Sequence, residues 1–94
     1  MTPRRGLGKD EETLSQSVRQ YCGKEYVEAA RARKDYVVAI RAGDVHRSLQ
    51  YSNRLPLICS ALGTEIFETD NKMKRIAVDG PLNGASTLLV FRLL

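Results

Sequence analysis

The five residues 36–40, Tyr-Val-Val-Ala-Ile, are the most constraining stretch of this chain. β-Branched and aromatic side chains at nearly every position suit a pleated, half-buried surface, so the stretch reads as a short strand. Helical patterns flank it on both sides, and strand character returns only at Lys72. Residues 72–78 and 86–93 can pair with each other, joined by Asp79-Gly80-Pro81-Leu82-Asn83-Gly84-Ala85. Gly80 and Gly84 permit unusual backbone angles, Pro81 stiffens the tip, and the connection is longer than a two-residue turn. The two runs therefore read as a hairpin with a wide loop. Its return strand, Thr87-Leu88-Leu89-Val90-Phe91, is almost wholly apolar and should be the better buried.

Helical signals fill the rest. Asp10, Glu11 and Glu12 suit a helix N-terminus, and Thr13 with Gln16 fits a capping box. Leu14, Val18 and Tyr21 then recur at helical spacing. Gly23 either ends this segment or kinks one long helix that runs on over 24–33, where Tyr26, Val27 and Ala30 share a face. After the strand, Ala42-Gly43 reads as a turn and Asp44 as the N-cap of a short helix over 45–50. Ser52 or Asn53 would cap a third helix that starts near Arg54 and ends between Gly63 and Phe67. Pro56 falls in its first turn, where a missing N–H costs little. Leu55, Ile58, Cys59 and Leu62 form its buried face. Residues 68–71 read as a polar turn. Residues 1–9 read as a flexible basic arm. Residues 10–94 read as a single domain with an N-terminal helical extension, because a chain of 94 residues suits one core.

From Lys24 onward the order is helix, strand, helix, helix, strand, wide loop, strand. That order resembles the winged helix-turn-helix superfamily, and the resemblance covers residues 24–94. It implies an α+β fold: a three-helix core and a small three-stranded antiparallel sheet, with 36–40 beside the C-terminal hairpin. Leu49, Ile58, Leu62, Val78 and Phe91 would meet in its centre. It also implies that the helix over 54–64 presents its outer face to the major groove of double-stranded DNA, while the 72–93 hairpin reaches a neighbouring groove or backbone.

With that third helix oriented by its apolar face, Asn53, Leu57, Ser60, Ala61 and Thr64 point outward and Arg54 lies toward the edge. Ser60 and Thr64 offer hydroxyls to bases, and Leu57 suits a thymine methyl. Arg41, His46, Arg47, Ser52 and Arg54 surround the helix-turn-helix connection, where phosphates would pass. Segment 31–54 carries six basic residues against two acidic ones, a formal +4 equal to that of the whole chain. A positive field of this kind draws phosphate backbones in a salt-dependent manner. Lys72, Lys74 and Arg75 form a second basic cluster at the hairpin base. The wing tip offers Asn83 but no Lys or Arg, which favours backbone contact over minor-groove insertion.

No glycine-rich phosphate cradle and no nucleophile elbow is present in the sequence, so an enzyme is not expected. His46 is the one histidine, Cys22 and Cys59 are the two cysteines, and they have no metal-ligand spacing. No cofactor and no metal are expected. No apolar run of membrane-spanning length occurs, and a cytoplasmic protein with two free thiols is the expectation, Cys59 serving as a core residue. Two functional readings stay open. One is a DNA-binding module, such as a small transcriptional regulator. The other is a winged helix used for protein contact or as a homodimeric adaptor, with Leu57, Leu82 and Tyr51 in an apolar patch. Under either, Leu14, Val18 and Tyr21 could form a homodimer seam or cover the subunit's own core.

Overall fold

A computed structural model of the protein describes residues 2–81 and 83–94, with side chains at 12–81 and 83–94. The first helix, α1 (Thr2–Cys22), continues through a π-helical turn (Gly23–Glu28) into α2 (Ala29–Ala32). Gly23 therefore does not end the helix. The buried positions along it are Val18, Cys22, Val27 and Ala30. The step from Cys22 to Val27 is one residue longer than an α-turn allows, and the wider π-turn absorbs the extra residue. The apolar stripe thus stays on the core. Gly23 is buried there, and a Cβ at this position would lie 2.9 Å from Asn71 Oδ1. Its role is close approach. The backbone of α1 takes in residues 2–9, where the sequence suggests an arm. Pro3 falls in the first turn, where its missing N–H has no intrahelical partner to lose. The side chains of 1–11 lie outside the described residues.

Strand β1 (Val37–Arg41) leads directly into α3 (Ala42–Ser48). The expected Ala42-Gly43 turn capped by Asp44 is thus helix. Ala42 N–H donates to Thr87 O and Gly43 N–H to Ala85 O, both at 2.9 Å. Two backbone carbonyls satisfy the first donors of the helix, so no side-chain cap is needed. Asp44 sits in the first turn instead, 3.5 Å from Arg47.

Helix α4 (Leu55–Leu62) is followed by α5 (Glu65–Asn71). The latter replaces the expected polar turn. Thr64 caps it, its Oγ1 accepting from Phe67 N–H at 3.3 Å. Glu65 and Glu68 lie in its first turn, the favoured place for negative charge. Phe67 is fully buried and pulls the segment onto the core. Lys72, expected in a strand, is the left-handed residue that ends α5, with φ 53°.

Strands β2 (Met73–Asp79) and β3 (Leu88–Leu93) complete an antiparallel sheet in the order β1-β3-β2. β1 thus pairs with β3 of the C-terminal hairpin, as the resemblance implies. The inner face of β1 and β3 buries Val38, Ile40, Leu89 and Phe91. Phe67 meets Phe91 edge to face at 5.4 Å and 83°. Ile58, Leu62 and Val45 close the same core. Each such side chain contributes about 1.5–3 kcal/mol by leaving water. Val78, expected in the centre, is 52% exposed because β2 is an edge strand, and Leu49 is half-buried. The register of β2 shifts between Arg75 and Ala77, which leaves Ile76 at a bulge. The architecture is a winged helix-turn-helix with an N-terminal helical extension: helices on the inner face of a small open sheet, and a wide loop between β2 and β3.

Candidate nucleic-acid interface

The helix-turn-helix connection is built from two left-handed residues. Gln50 has φ 58° and Asn53 has φ 55°. Asparagine tolerates this region, and here it turns the chain into α4. Neither Ser52 nor Asn53 therefore caps that helix: Arg54 holds the N-cap position without a side-chain bond. The connection is pinned from α3. His46 Nε2 accepts the Arg54 backbone N–H at 3.2 Å, and Tyr51 N–H donates to His46 O at 3.2 Å. His46, a candidate phosphate contact, is half-buried and positions the start of α4.

Of the outward residues expected on α4, three sit otherwise. Ala61 is buried. Leu57 is half-buried and packs against the core. Thr64 is engaged at the α4–α5 junction, donating to Ala61 O at 2.8 Å and accepting from Phe67 N–H. The physical reason is that α1 lies across α4 and a second helix begins at Glu65, so α4 has a narrower free face than a lone recognition helix. Asn53, Arg54, Pro56 and Ser60 remain exposed. Together with Leu57 and Ser15 of α1 they line a concavity of about 340 Å³. Ser15 was invisible as a site residue in the sequence, since only the crossing of α1 over α4 brings it there. Cys59, assigned to the buried face, is half-buried; burial pushes its thiol up while the Thr87 hydroxyl pulls it down.

The basic residues are dispersed. Arg47 is exposed beside the connection, with Asp44 as a surface ion-pair partner. Ser52 is exposed in the connection. Arg31, counted in the basic segment, is committed elsewhere: its guanidinium donates to Asn71 O, Lys72 O and Leu94 O. Arg33 pairs with Asp35 at 3.0 Å. Arg41 is exposed on the outer face of the sheet, away from α4. Lys72 and Lys74 border a concavity shared with Glu65 and Glu68. Arg75 reaches the α4 terminus, its Nη1 at 3.2 Å from where a Cβ on Gly63 would stand, while its backbone N–H donates to Glu68 Oε2 at 2.6 Å. Asn83 is exposed in the wing with φ 58°, and Leu82 lies outside the described residues. The acidic α5 thus comes between α4 and Lys72 and separates the two basic clusters.

Among the described residues no group of three or more His, Cys, Asp or Glu is placed to hold a metal ion. Nor is any described helix long and apolar enough to cross a membrane. Of the first-helix residues offered as a dimer seam or core cover, Val18 is buried, Tyr21 packs on the core and Leu14 is half-buried. Compared with known proteins, the chain matches no family model, no curated relative and no solved structure.

Proposed function

We propose that this protein binds double-stranded DNA through the N-terminal end of α4 and does no chemistry on it. The observation that carries the reading is the exposed set Asn53, Arg54 and Ser60 on one open concavity of a winged-helix fold. Asn53 and Arg54 precede the helix and Ser60 lies on it, and all three line the same concavity. An Arg and an Asn can each bond a base edge in two places, while a small Ser permits close approach. Arg47 adds a phosphate contact beside them, since its surface pair with Asp44 is weak and exchangeable. The carboxylates of α5 repel phosphate at the other end and confine the footprint. Such a module suits a small transcriptional regulator.

The test is fluorescence anisotropy of the full chain with mixed-sequence duplex DNA at low and moderate salt. Binding should weaken as salt rises, because each phosphate contact releases counterions. Arg54→Ala should weaken it about tenfold, the order of one good base or phosphate contact. Lys72→Ala, flanked by Glu65 and Glu68, should change it less than twofold. Absence of binding at low salt by folded protein would remove the proposal and favour a protein partner.

A further inference from the structure

The helices occupy the inner face of the sheet, and among the described residues its outer face is largely exposed. Register defines that face. Directly paired residues share a side, so it carries three rows: Arg41–Leu88–Asp79, Ala39–Val90–Ala77 and Val37–Arg92–Lys74. The bulge at Ile76 is what brings Ala77 and Lys74 to the same side. Leu88 and Val90 are half-buried, Val37 is 43% exposed, and the remaining six are exposed. The middle is apolar and small. One end has an arginine and an aspartate on opposite edges. Neither Arg41 nor Asp79 makes an ion pair with another described residue.

We propose that this face is the contact between two copies of the chain, stacked face to face about a two-fold axis that runs along β3. A half-turn about that axis exchanges the β1 edge with the β2 edge. Arg41 then lies over the partner's Asp79, and Asp79 over the partner's Arg41, giving two identical ion pairs from one operation. Leu88 and Val90 lie on the axis and meet their own counterparts. Ala39 faces the partner's Ala77, and these small residues let the sheets reach the roughly 10 Å spacing of packed sheets. Val37 faces the stem of the partner's Lys74, whose ammonium reaches solvent. The two Arg92 side chains come together at the open end and extend into water. An axis across the strands does worse, since it sets Leu88 on the partner's Arg92.

The size of the face sets the strength. Nine outward residues are well under the roughly 20–30 a side of a standard interface, so the contact is small, on the order of a few hundred Å² per copy. The dimer is therefore weak, forming in the range of tens of micromolar and above, and isologous, as two-fold contacts are. It leaves the exposed end of α4 free and goes beyond the DNA reading, on which it does not depend.

Sedimentation velocity on the full chain, without nucleic acid, tests this from low micromolar to submillimolar concentration. The mass should rise from 10.5 kDa toward twice that value. Val90→Glu should stay monomeric at every concentration, with its fold checked by far-UV circular dichroism. Arg41→Asp and Asp79→Arg should each weaken association about tenfold, because each sets like charges together. The double variant Arg41→Asp/Asp79→Arg should return to within about threefold of the original, the signature of a direct pair. A chain that is monomeric throughout overturns the proposal. So does association that Val90→Glu leaves intact or that the double exchange fails to restore.

Discussion

Gly43 donates its backbone N–H to Ala85 O at 2.9 Å, and a Cβ on Gly43 would lie 2.5 Å from that same oxygen. The contact joins the start of α3 to the loop before β3, so one glycine sets both the helix entry and the wing root. Gly43→Ala must therefore move backbone, with no flexible side-chain tip to yield. It should cost about 2–3 kcal/mol, as overpacking against fixed atoms does. Gly63→Ala is the comparison. Its close neighbours include the flexible Arg75 Nη1 at 3.2 Å as well as Cys59 O at 3.3 Å, so part of the strain relaxes and the loss should be smaller. Urea unfolding of both variants measures the difference.

Thr87 is the buried polar residue on the other side of this junction, 3% exposed. Its Oγ1 accepts from Gly84 N–H at 2.9 Å and donates to Pro81 O, which folds the wing loop back on its own strand. Thr87→Val keeps the shape and removes both bonds. Leaving Gly84 N–H and Pro81 O to find water should cost about 1–3 kcal/mol. Amide exchange at Gly84 should rise well ahead of that in β1. Equal protection of the Gly84 amide in both proteins would show that the hydroxyl does not hold the loop.

Much of this fold is legible from local chemistry. The stretch 36–40 reads as a strand from its residues alone, and the winged-helix order places it beside the hairpin, where it pairs with β3 in the sheet order β1-β3-β2. Pro56 marks the first turn of α4, and the apolar return strand is the central one. The misses share a cause: the deciding interaction comes from elsewhere in the fold. Gly23 reads as a stop or as a kink in one long helix, and only the approach of Asn71 decides for the second. Asp44 reads as a cap until the carbonyls of Ala85 and Thr87 take that role. Residues 68–71 read as a turn because the anchor, Phe67, lies just before them. In the candidate site, Asn53, Arg54 and Ser60 are exposed, as their places at the start and on the outer side of the third helix suggest. Thr64 was misassigned because helix periodicity was carried past the real end at Leu62, and Ala61 because α4 buries more of its surface than one apolar stripe.

Arg31 ties the end of α5 to the end of β3. Its guanidinium donates to Asn71 O at 2.6 Å, Lys72 O at 2.8 Å and Leu94 O at 3.2 Å. Asn71 and Lys72 close α5, so the cation also sits where the helix dipole is negative. Arg31→Lys keeps the charge but loses the planar fork that serves several acceptors. It should cost about 1 kcal/mol and Arg31→Ala about 2 kcal/mol, within the range for charged hydrogen bonds. Chemical denaturation checks the order. Equal losses for Lys and Ala would show that geometry, as opposed to charge, carries the effect.

Burial pushes the Cys22 thiol from its ordinary value up to about 12. Between the ordinary thiol range and that value the unfolded chain loses this proton while the folded chain keeps it. The unfolded state then binds fewer protons, so stability falls as pH rises. The contribution is complete below the ordinary thiol range, and above it stability drops by about 1.4 kcal/mol per pH unit from this group. Urea melts at several alkaline pH values should show a shallower decline for Cys22→Ala than for the natural chain. Parallel declines would mean that Cys22 is not held protonated. In the same window a thiol reagent should label the half-buried Cys59 first.

Thr64 and Ser60 separate stability from binding. Thr64 Oγ1 accepts Phe67 N–H at 3.3 Å and caps α5, whereas Ser60 is exposed on the concavity beside Arg54. Thr64→Ala should cost about 1 kcal/mol, the usual loss of an N-cap. Its affinity for duplex DNA should stay within twofold once measured on folded protein. Ser60→Ala should leave the urea midpoint unchanged, since an exposed serine satisfies no buried group. Its affinity should fall by about three- to fivefold if its hydroxyl bonds DNA directly. Melts and anisotropy titrations on the same two preparations give all four values. The crossed pattern supports contact through the α4 start. A loss of affinity in Thr64→Ala without one in Ser60→Ala would move the DNA surface to α5.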